Sequence, residues 1–324
     1  MLQQQTHKIN DQIRNLPVAP SPPVCAIEIG SRYTTLTSGM RMDNRISTSH
    51  EYSAGVELGG DIMHNEKVIS NATLAKLEHV LSQMRKYCAE KGIGDIPGVA
   101  SATVSRATNS ADIQVLAGKY NFEIELISRQ RECELDYHTA THGLPKRLVC
   151  TLRSHSCNTA WLPDSGTAWL TEGEIETNYV EAGYEEAFER FIHNTSSIKE
   201  ACETYGLHLK NHLYFLPIAM DQLIVTAALP CARYISGLKN KTTGGTILPR
   251  TTVTRKLREL QCISKPEFDY LKKHTDNISE LLSGLIFMNY LLHRTDMAQL
   301  LVTDSSLSTA QIHQYFDNSD GASA

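Results

Sequence analysis

The stretch VCAIEIGSRYTTLTSG, residues 24–39, predicts two strands joined by a tight turn. The apolar run before Gly30 has the length of a buried strand, Gly30-Ser31 supplies the turn, and a second strand follows through Leu36. The stretch LVCTLRSHSCNTAWL, residues 148–162, repeats this strand-turn-strand pattern. Two such openings predict an internal duplication in which each copy begins one domain.

Strands and helices alternate between these two openings, which is typical of an α/β domain. Ser70 is in position to cap a helix that ends near Gly92, and Ser128 to cap a second helix that ends at Gly143. We also expect strands at 98–103 and 122–127 and a helix at 111–120.

The second half of the chain is predicted to be mostly helical after about residue 184. The stretch LLSGLIFMNYLL, residues 281–292, is apolar almost all round and indicates a helix buried at a domain or dimer junction. We expect strands at 213–218 and 298–302, helices at 252–261, 265–273 and 276–294, and a short last helix from Ser308.

The length of 324 residues favours two domains over one. We divide the chain into a flexible, proline-ending segment at 1–23, a first α/β domain at 24–143 and a second domain at 144–324. The last helices are candidates to return to the first domain. The predicted fold class is therefore α/β, with two duplicated domains and a cleft between them.

The composition excludes several classes of function. With 31 Lys and Arg against 36 Asp and Glu, the net charge is -5, so we expect no nucleic-acid partner and no electrostatic attachment to membranes. No apolar run has the length of a membrane span, and the first residues lack the apolar centre of a signal peptide, so we expect a cytoplasmic protein. The eight Cys include no CxxC pair and are expected to be free thiols.

Four motifs in this order resemble those of the exopolyphosphatase / guanosine-pentaphosphate phosphohydrolase (Ppx/GppA) family. AIEIGS at 26–31 is similar to the family's A-x-D-x-G-S loop, and VASATVSRATN at 99–109 to its V-x-T-S-A-x-R-x-A-x-N segment. IELISRQRECEL at 124–135 resembles I-x-x-I-S-G-x-E-E-A-x-L. The closing helix at 281–292 and LLVTDSSL at 300–307 are similar to the family's last helix and V-S-D-x-x-L strand.

The resemblance implies an actin-like ATPase fold, a duplicated ribonuclease H-like architecture with an interdomain cleft. It also implies a homodimer that removes terminal phosphate from polyphosphate or guanosine penta/tetraphosphate with Mg²⁺ as cofactor, although it assigns no metal ligands here. The catalytic residues that it implies are Glu132 as base, Glu28 in the first phosphate loop and Arg106 as a phosphate clamp. The implied ligand-binding residues are Gly30, Ser31, Arg32, Ser105, Arg129, Arg131, Arg153, Ser154, His155, Ser156 and Asn158.

The departures from the family pattern concentrate in the loops that should cradle phosphate. The family's D-x-G-G-G-S-x-E loop reads TLRSHSCN here, so that Thr151 and Asn158 replace two acids and three glycines are lost. Glycines in such a loop let the backbone approach phosphate closely, and side chains there should close the cradle. In the first motif and directly after it, Glu28 replaces the family's Asp and Arg32-Tyr33 replace Asn-Ser. In the second motif Ser105 replaces Arg, and in the third Arg129 and Arg131 replace Gly and Glu.

Two functions therefore stay open. One is a phosphoanhydride hydrolase of the Ppx/GppA kind with weakened or altered activity. The other is a catalytically inactive relative that binds a phosphorylated ligand or a protein partner as a regulator. Acids that reach the cleft from other positions, such as Glu134, Asp136 or Asp164, would favour the first.

Several smaller patterns have two interpretations each. The five arginines of the motifs either hold an anionic ligand or pair with nearby acids. The turn at 154–157 offers Ser, His and Cys side by side as nucleophile and base, although adjacent residues in a turn rarely face each other. The pairs His138/His142 and His208/His212 have metal-ligand spacing but are better explained by packing. The basic region 233–258 either guides a polyanion or is a solvated face.

Overall fold

The computed structural model describes most of the chain, namely residues 21–42, 45–94, 96–141, 144, 146–162, 175–213, 215–217, 220–237, 245–275, 277–303 and 305–321. Two β-sheets, one of five strands and one of six, organise these residues. Each sheet has its own buried apolar core.

The first sheet has the strand order β3-β2-β1-β4-β5. The predicted hairpin is confirmed, because β1 and β2 pair antiparallel with Ile27 opposite Leu36. The second strand continues past Leu36 to Met42, and a third strand follows it at 45–55. The strands are β1 (Val24–Ile29), β2 (Tyr33–Met42), β3 (Arg45–Gly55), β4 (Ile96–Ala100) and β5 (Phe122–Leu126).

Five helices accompany this sheet. The N-cap prediction for Ser70 is confirmed, since its Oγ accepts a hydrogen bond from the backbone N–H of Thr73 at 3.3 Å. Ser128 also acts as predicted, accepting from the N–H of Arg131 at 3.1 Å. The helices are α1 (Leu58–His64), α2 (Asn71–Glu90), α3 (Ala102–Ser105), α4 (Ala111–Gly118) and α5 (Arg129–Thr141).

The second sheet repeats the topology of the first. Its order is β10-β11-β9-β6-β7-β8, so that β8, β7, β6, β9 and β11 correspond to the five strands of the first sheet, with β10 added at one edge. The β6–β7 hairpin is antiparallel and β6 runs parallel to β9, as β1 does to β4. The strands are β6 (Arg147–Leu152), β7 (Cys157–Trp161), β8 (Glu176–Val180), β9 (Gln222–Thr226), β10 (Thr246–Pro249) and β11 (Gln299–Thr303).

Seven further helices follow β8. The stretch at 281–292 lies in α11, whose residues are largely buried in the second core, as its apolar sequence predicts. A π-helical turn at Phe188–Ile192 continues α6. The helices are α6 (Tyr184–Ala187), α7 (Ile198–His212), α8 (Leu229–Ser236), α9 (Arg250–Gln261), α10 (Lys265–His274), α11 (Ile278–Arg294) and α12 (Leu307–Gly321).

The predicted strand at 213–218 is wrong. Leu213 ends α7, residues 215–217 have no regular structure, and the strand comes later as β9; residues 214, 218 and 219 lie outside the described part of the chain. Leu213 and Leu216 are nevertheless buried. A short apolar run shows burial but cannot by itself distinguish a strand from irregular chain crossing a core.

Two other boundaries differ from prediction. The strand expected at 98–103 ends at Ala100, because the chain turns at Ser101 into α3. The last helix, expected to be short, has 15 residues. It packs against the first sheet, where Ile312 and Phe316 bury against Ala26.

Helix α5 lies between the two sheets. On one side Cys133 and Tyr137 pack against Val149 and Ile224 of the second sheet. On the other, Leu135 packs against residues of β4 and α12. Any polar residue on the buried surface of α5 is therefore placed at the junction of the two halves. The residues that were predicted to end this helix, 142 and 143, are not among those described.

No helix in the described part of the chain combines the length and apolar character needed to cross a bilayer.

Candidate functional site

Two turns, one from each half of the chain, meet face to face. The first follows β1 at residues 30–32 and the second follows β6 at residues 153–156. Their closest approach joins Ser31 Oγ and Ser154 Oγ, which are 2.5 Å apart and buried. The duplicated turns thus close on each other through a hydrogen bond between hydroxyls.

The first turn is tight and held by its own backbone. Gly30 donates its N–H to the carbonyl of Tyr33 at 2.9 Å, and a Cβ at Gly30 would lie 2.8 Å from that oxygen. The Arg32 carbonyl accepts from the N–H groups of Val56 and Glu57. The Arg32 guanidinium reaches across to α6 and pairs with Glu185 at 2.6 Å. The first turn therefore uses its arginine to bind the other half of the protein.

The second turn rests on the start of α6. Arg153 donates its N–H to the Ser156 carbonyl at 2.8 Å, while its own carbonyl accepts from Tyr184 at 2.8 Å. The Ser154 carbonyl accepts from Glu185 at 2.9 Å. Gly183 lies directly beneath, where a Cβ would be only 2.2 Å from the Arg153 carbonyl oxygen. The N–H groups that begin α6 are thus used by this turn and bind no phosphate in this arrangement.

The Arg153 side chain lies among three carboxylates. Its Nη1 is 3.2 Å from Glu28 Oε1, its Nε is 3.2 Å from Glu132 Oε1, and its Nη2 is 2.6 Å from Asp136 Oδ1. The side chain is 13% exposed. We call these four residues the Arg153 cluster. It occupies the junction between the two duplicated turns.

Glu132, the implied catalytic base, is 0% exposed. Its Oε2 accepts a hydrogen bond from the Ala102 N–H at 2.6 Å, and its Oε1 accepts one from Asn158 Nδ2 at 3.0 Å. Together with the ion pair to Arg153, these contacts engage both carboxylate oxygens. In this arrangement Glu132 has no free oxygen directed at a solvent-filled cleft.

Glu28 joins the first turn to the last helix. Its Oε2 accepts from the N–H of Leu307, the first residue of α12, at 2.9 Å, while its Oε1 faces Arg153. A carboxylate at a helix N-terminus is favourably placed with respect to the helix dipole. Both oxygens of the implied first-loop acid are thus engaged within the protein.

Asp136 is the third acid of the cluster and is 2% exposed. Burial raises the pKa of its carboxyl to about 6, and the nearby charge of Glu132 acts in the same direction against the opposing effect of Arg153. Asp136 lies one turn after Glu132 on α5, so the i, i+4 spacing predicts that the two share a face. Asp136 is one of the acids whose presence in the cleft was expected to favour hydrolysis. The structure brings it there, but its Oδ1 is paired with Arg153 and not directed at an open cleft.

The residues of the Arg153 cluster do not fit the Mg²⁺ that the resemblance implies. A magnesium site needs carboxylate and water oxygens converging octahedrally on one point, whereas here a guanidinium lies between the acids. Among the described residues there is no group of three His, Cys, Asp or Glu arranged to hold a metal ion. Arg153 occupies the place between the acids and offsets one of their three negative charges.

His155 and its neighbours do not form a nucleophile and base. His155 is buried beside Gly59, its Nδ1 has no hydrogen-bond partner, and its Nε2 lies 3.8 Å from Glu185. Burial, with the charges of Arg32 and His64 acting in the same direction, lowers the pKa of His155 to about 4, so the ring is neutral at pH 7. Ser154 is bonded to Ser31, Ser156 is buried, and burial raises the pKa of Cys157.

At the rim of the junction, Arg106 and Arg129 both bind one carboxylate, that of Glu181 just after β8. The Arg129 guanidinium also lies over the Tyr179 ring, 4.5 Å from its centroid. Glu181 could not be predicted from the sequence, because it belongs to no motif and only the fold brings it to these arginines. Arg131 instead pairs with Glu134 at 3.7 Å, and Ser105 Oγ donates to the Ala100 carbonyl at 2.9 Å.

The predicted site residues therefore separate into groups. The structure brings together Glu28, Glu132, Arg153 and Asn158 at the junction, with Gly30, Ser31, Ser154, His155 and Ser156 in the two turns around them. Arg106 and Arg129 lie at the rim. Arg32 binds α6, and Arg131 pairs on the exposed side of α5. All five arginines of the motifs have an acidic partner, as the second of the two interpretations predicted.

The remaining candidates are explained by packing and surface charge. His208 and His212 are adjacent rings with centroids 4.3 Å apart, and His208 packs on Phe191. In the basic region, Arg255 pairs with Glu259 and Arg250 with Asp296, beside a surface cavity of about 530 Å³. His142, Asp164, Lys239 and Lys241 lie outside the described residues.

Comparison with known proteins identifies the fold. No protein-family model matches the chain, and a search of curated proteins finds no match. Solved structures do match. A Ppx/GppA family member from Aquifex aeolicus superposes with a TM-score of 0.75 at 16% identity, covering 92% of this chain and 98% of its own. An exopolyphosphatase from Cytophaga hutchinsonii gives a TM-score of 0.71 at 15% identity, covering 91% and 98%.

An exopolyphosphatase-like protein gives a TM-score of 0.68 at 16% identity, covering 90% of this chain and 98% of its own. Each match extends over nearly the whole length of both chains compared. The superposition therefore includes both halves of this protein together. The resemblance of the motifs and the superposition of the structures agree, and the chain has the two-domain actin-like fold of the Ppx/GppA structures.

Proposed function

We propose that this protein is a catalytically inactive relative of the Ppx/GppA phosphohydrolases that binds a phosphorylated anionic ligand as a regulator. The observation that carries the proposal is the Arg153 guanidinium among Glu28, Glu132 and Asp136. Each of the three acids directs an oxygen to this one internal cation.

Hydrolysis of a phosphoanhydride needs a carboxylate that orients or deprotonates water, donors that cradle the phosphate and a cation that offsets its charge. Glu132 is buried and its oxygens are already bonded to Ala102, Asn158 and Arg153. The two turns that would form the cradle are bonded to each other through Ser31 and Ser154. The carboxylate and the phosphate cradle are thus both engaged within the same small volume, which supports loss of hydrolysis over a modest weakening of it.

The other function that the sequence left open, an active phosphohydrolase, would require the Arg153 cluster to open. Arg153 would have to leave three carboxylates that it holds in a buried place, and separating a buried ion pair in this way costs about 3–5 kcal/mol. Binding of a ligand would need to supply that free energy before any chemistry began.

The test is phosphate release by the purified protein from long-chain polyphosphate and from guanosine pentaphosphate, with Mg²⁺ or Mn²⁺ present. A Glu132→Gln variant serves as the control for contaminating phosphatase, because it removes the only implied base. We expect release at background level that is equal in both proteins. Release by the wild type that falls at least about tenfold in the variant would overturn the proposal and establish the enzyme.

A further inference from the structure

The second concentration of charge in the molecule lies at the rim of the junction, away from the Arg153 cluster. Glu181 accepts hydrogen bonds from Arg106, which ends α3, and from Arg129, which begins α5. Lys67 adds a third positive charge near the same carboxylate. We call Lys67, Arg106, Arg129, Tyr179 and Glu181 the rim cluster.

The rim cluster has more positive charge than its one carboxylate neutralises. Partial burial acts to raise the pKa of Glu181, but the hydrogen bond from Arg106 and the charges of Arg106, Arg129 and Lys67 lower it below the usual range. The nearby acid Glu186 is bound to Arg190 at 2.6 Å. Within the rim cluster itself, three cations therefore face one carboxylate, which leaves the cluster a formal surplus of two positive charges.

The arrangement of Arg129 favours a planar, multivalent acceptor. Its guanidinium is fixed over the Tyr179 ring, and Tyr179 is itself 3.3 Å from Thr103 through its hydroxyl. Arg129 Nε is buried, so the donors that a ligand can contact are the terminal amino groups of Arg129 and Arg106. An arginine fork binds phosphate through two parallel hydrogen bonds.

The rim cluster is also accessible to solvent, whereas the Arg153 cluster beneath it is buried. The side chains of Arg106, Arg129 and Glu181 are 43%, 39% and 51% exposed. A ligand can therefore reach these groups without opening the hydrogen bond between Ser31 and Ser154. Glu181 belongs to the second half of the chain and both arginines to the first, so the contact spans the junction.

We propose that the rim cluster is a receptor for a terminal phosphate group and that Glu181 is a built-in carboxylate which the phosphate displaces. A phosphate monoester or anhydride end carries about two negative charges at pH 7 and three acceptor oxygens, which matches the surplus of positive charge in the rim cluster better than a second carboxylate would. The proposal rests on the proposed function in that the ligand is bound and not cleaved.

Glu181 sets the affinity of this receptor. A tethered group competes at an effective concentration in the millimolar range, so a free phosphate must outcompete it. Displacement would also break the bridges from Arg106 and Arg129 to the second half of the chain. Ligand binding at the rim cluster is thereby linked to the contact between the two halves.

The test is calorimetric titration with inorganic pyrophosphate at low ionic strength. We expect weak binding by the wild type, binding tightened by roughly tenfold in Glu181→Gln, where the competing carboxylate is removed, and loss of measurable binding in Arg129→Gln. Two control variants remove equal charges outside the rim cluster. Glu78→Gln on α2 and Arg45→Gln on β3 should leave the affinity within about twofold of the wild type.

Several outcomes would overturn the receptor. They are equal affinities in the wild type and Glu181→Gln, equal losses in Arg129→Gln and Arg45→Gln, no binding by any of the proteins, or binding of succinate as tight as that of pyrophosphate. These results are separable from the proposed function. Phosphate release would overturn catalytic inactivity and leave the pyrophosphate titration to decide the rim cluster, whereas failed titrations with no phosphate release would overturn the receptor alone.

Discussion

Ser31 and Ser154, which are 123 positions apart in sequence, place their hydroxyl oxygens 2.5 Å from each other at the junction of the two halves. Each serine lies in the turn that follows the first strand of its sheet, so the pair relates equivalent positions of the duplicated fold. Turns that would have to admit a phosphate between them are instead in direct contact.

This contact predicts that a Ser31→Cys, Ser154→Cys double variant will form a disulfide under mild oxidation. The hydroxyl separation is close to what a disulfide needs between its side chains. A cross-link closing so long a loop should raise the free energy of unfolding by roughly 2–4 kcal/mol. Peptide mass spectrometry and denaturant unfolding would measure both effects.

The two single-cysteine variants are the controls, since the chain already has eight cysteines, of which Cys262 is exposed. If the double variant is oxidised no more than the singles, the two turns do not meet in solution, and the argument from a closed junction fails.

The sequence predicted the parts of the fold that depend on local chemistry. The cap at Ser70, the cap at Ser128 and the hairpin that pairs Ile27 with Leu36 all follow from short-range rules. The misplaced strand at 213–218 shows the limit of those rules. There the apolar residues Leu213 and Leu216 are buried in the second core without pairing with a neighbouring strand. A short apolar run is compatible with a strand or with irregular chain, and only the tertiary structure decides which of the two forms.

The candidate site was predictable by residue type but not by arrangement. The loss of glycines around Arg153 was visible in the motif, whereas the inward direction of its guanidinium depends on Glu28 and Glu132, which are distant in sequence. Glu181 could not be found at all, because no motif contains it and only the fold brings it to Arg106 and Arg129.

Glu132 offers a test of its role through stability. A carboxylate kept for catalysis is often a strained feature whose removal stabilises the protein. Here Glu132 accepts from Ala102 and Asn158 and faces Arg153, so Glu132→Gln should lower the free energy of unfolding by about 1–3 kcal/mol.

Denaturant titration measures this change, and Glu134→Gln on the same helix is the matched control, expected to stay within about 0.5 kcal/mol of the wild type. A Glu132→Gln protein that is more stable than the wild type would contradict the structural role.

Glu280, in the first turn of α11, predicts a pH dependence of stability. Burial raises the pKa of its carboxyl from 4.5 to about 7, with Arg32 opposing and Glu185 reinforcing the rise. The folded protein therefore binds this proton more tightly than the unfolded chain. Its contribution to stability is greatest below pH 4.5 and is lost as the pH rises through 7.

Replacing Glu280 with Gln should remove this loss. We expect Glu280→Gln to be more stable than the wild type at pH 8 by at least about 1 kcal/mol, since one pKa unit corresponds to about 1.4 kcal/mol, and the gain should shrink at pH 5. Urea unfolding at the two pH values measures it. A gain that is the same at both pH values would show that titration of Glu280 is not the cause.

Arg153 provides the most direct test of the junction, because Arg153→Ala removes the one cation that the three carboxylates of the Arg153 cluster share and should leave a site for a metal cation. Without the guanidinium, Glu28, Glu132 and Asp136 are left as buried acids with no counter-charge, at a cost of about 3–5 kcal/mol. Oxygen ligands of this type bind divalent cations. We therefore expect the variant to melt at a lower temperature than the wild type. Millimolar Mn²⁺ or Mg²⁺ should restore part of the loss in the variant and should not raise the melting temperature of the wild type.

Arg131→Ala, with the same change of charge on an arginine outside the cluster, should show neither effect. Arg153→Lys gives a milder variant should the alanine protein fail to fold. If the lysine and alanine variants are as stable as the wild type, or if metal ions raise all melting temperatures alike, Arg153 is not the internal cation of this site.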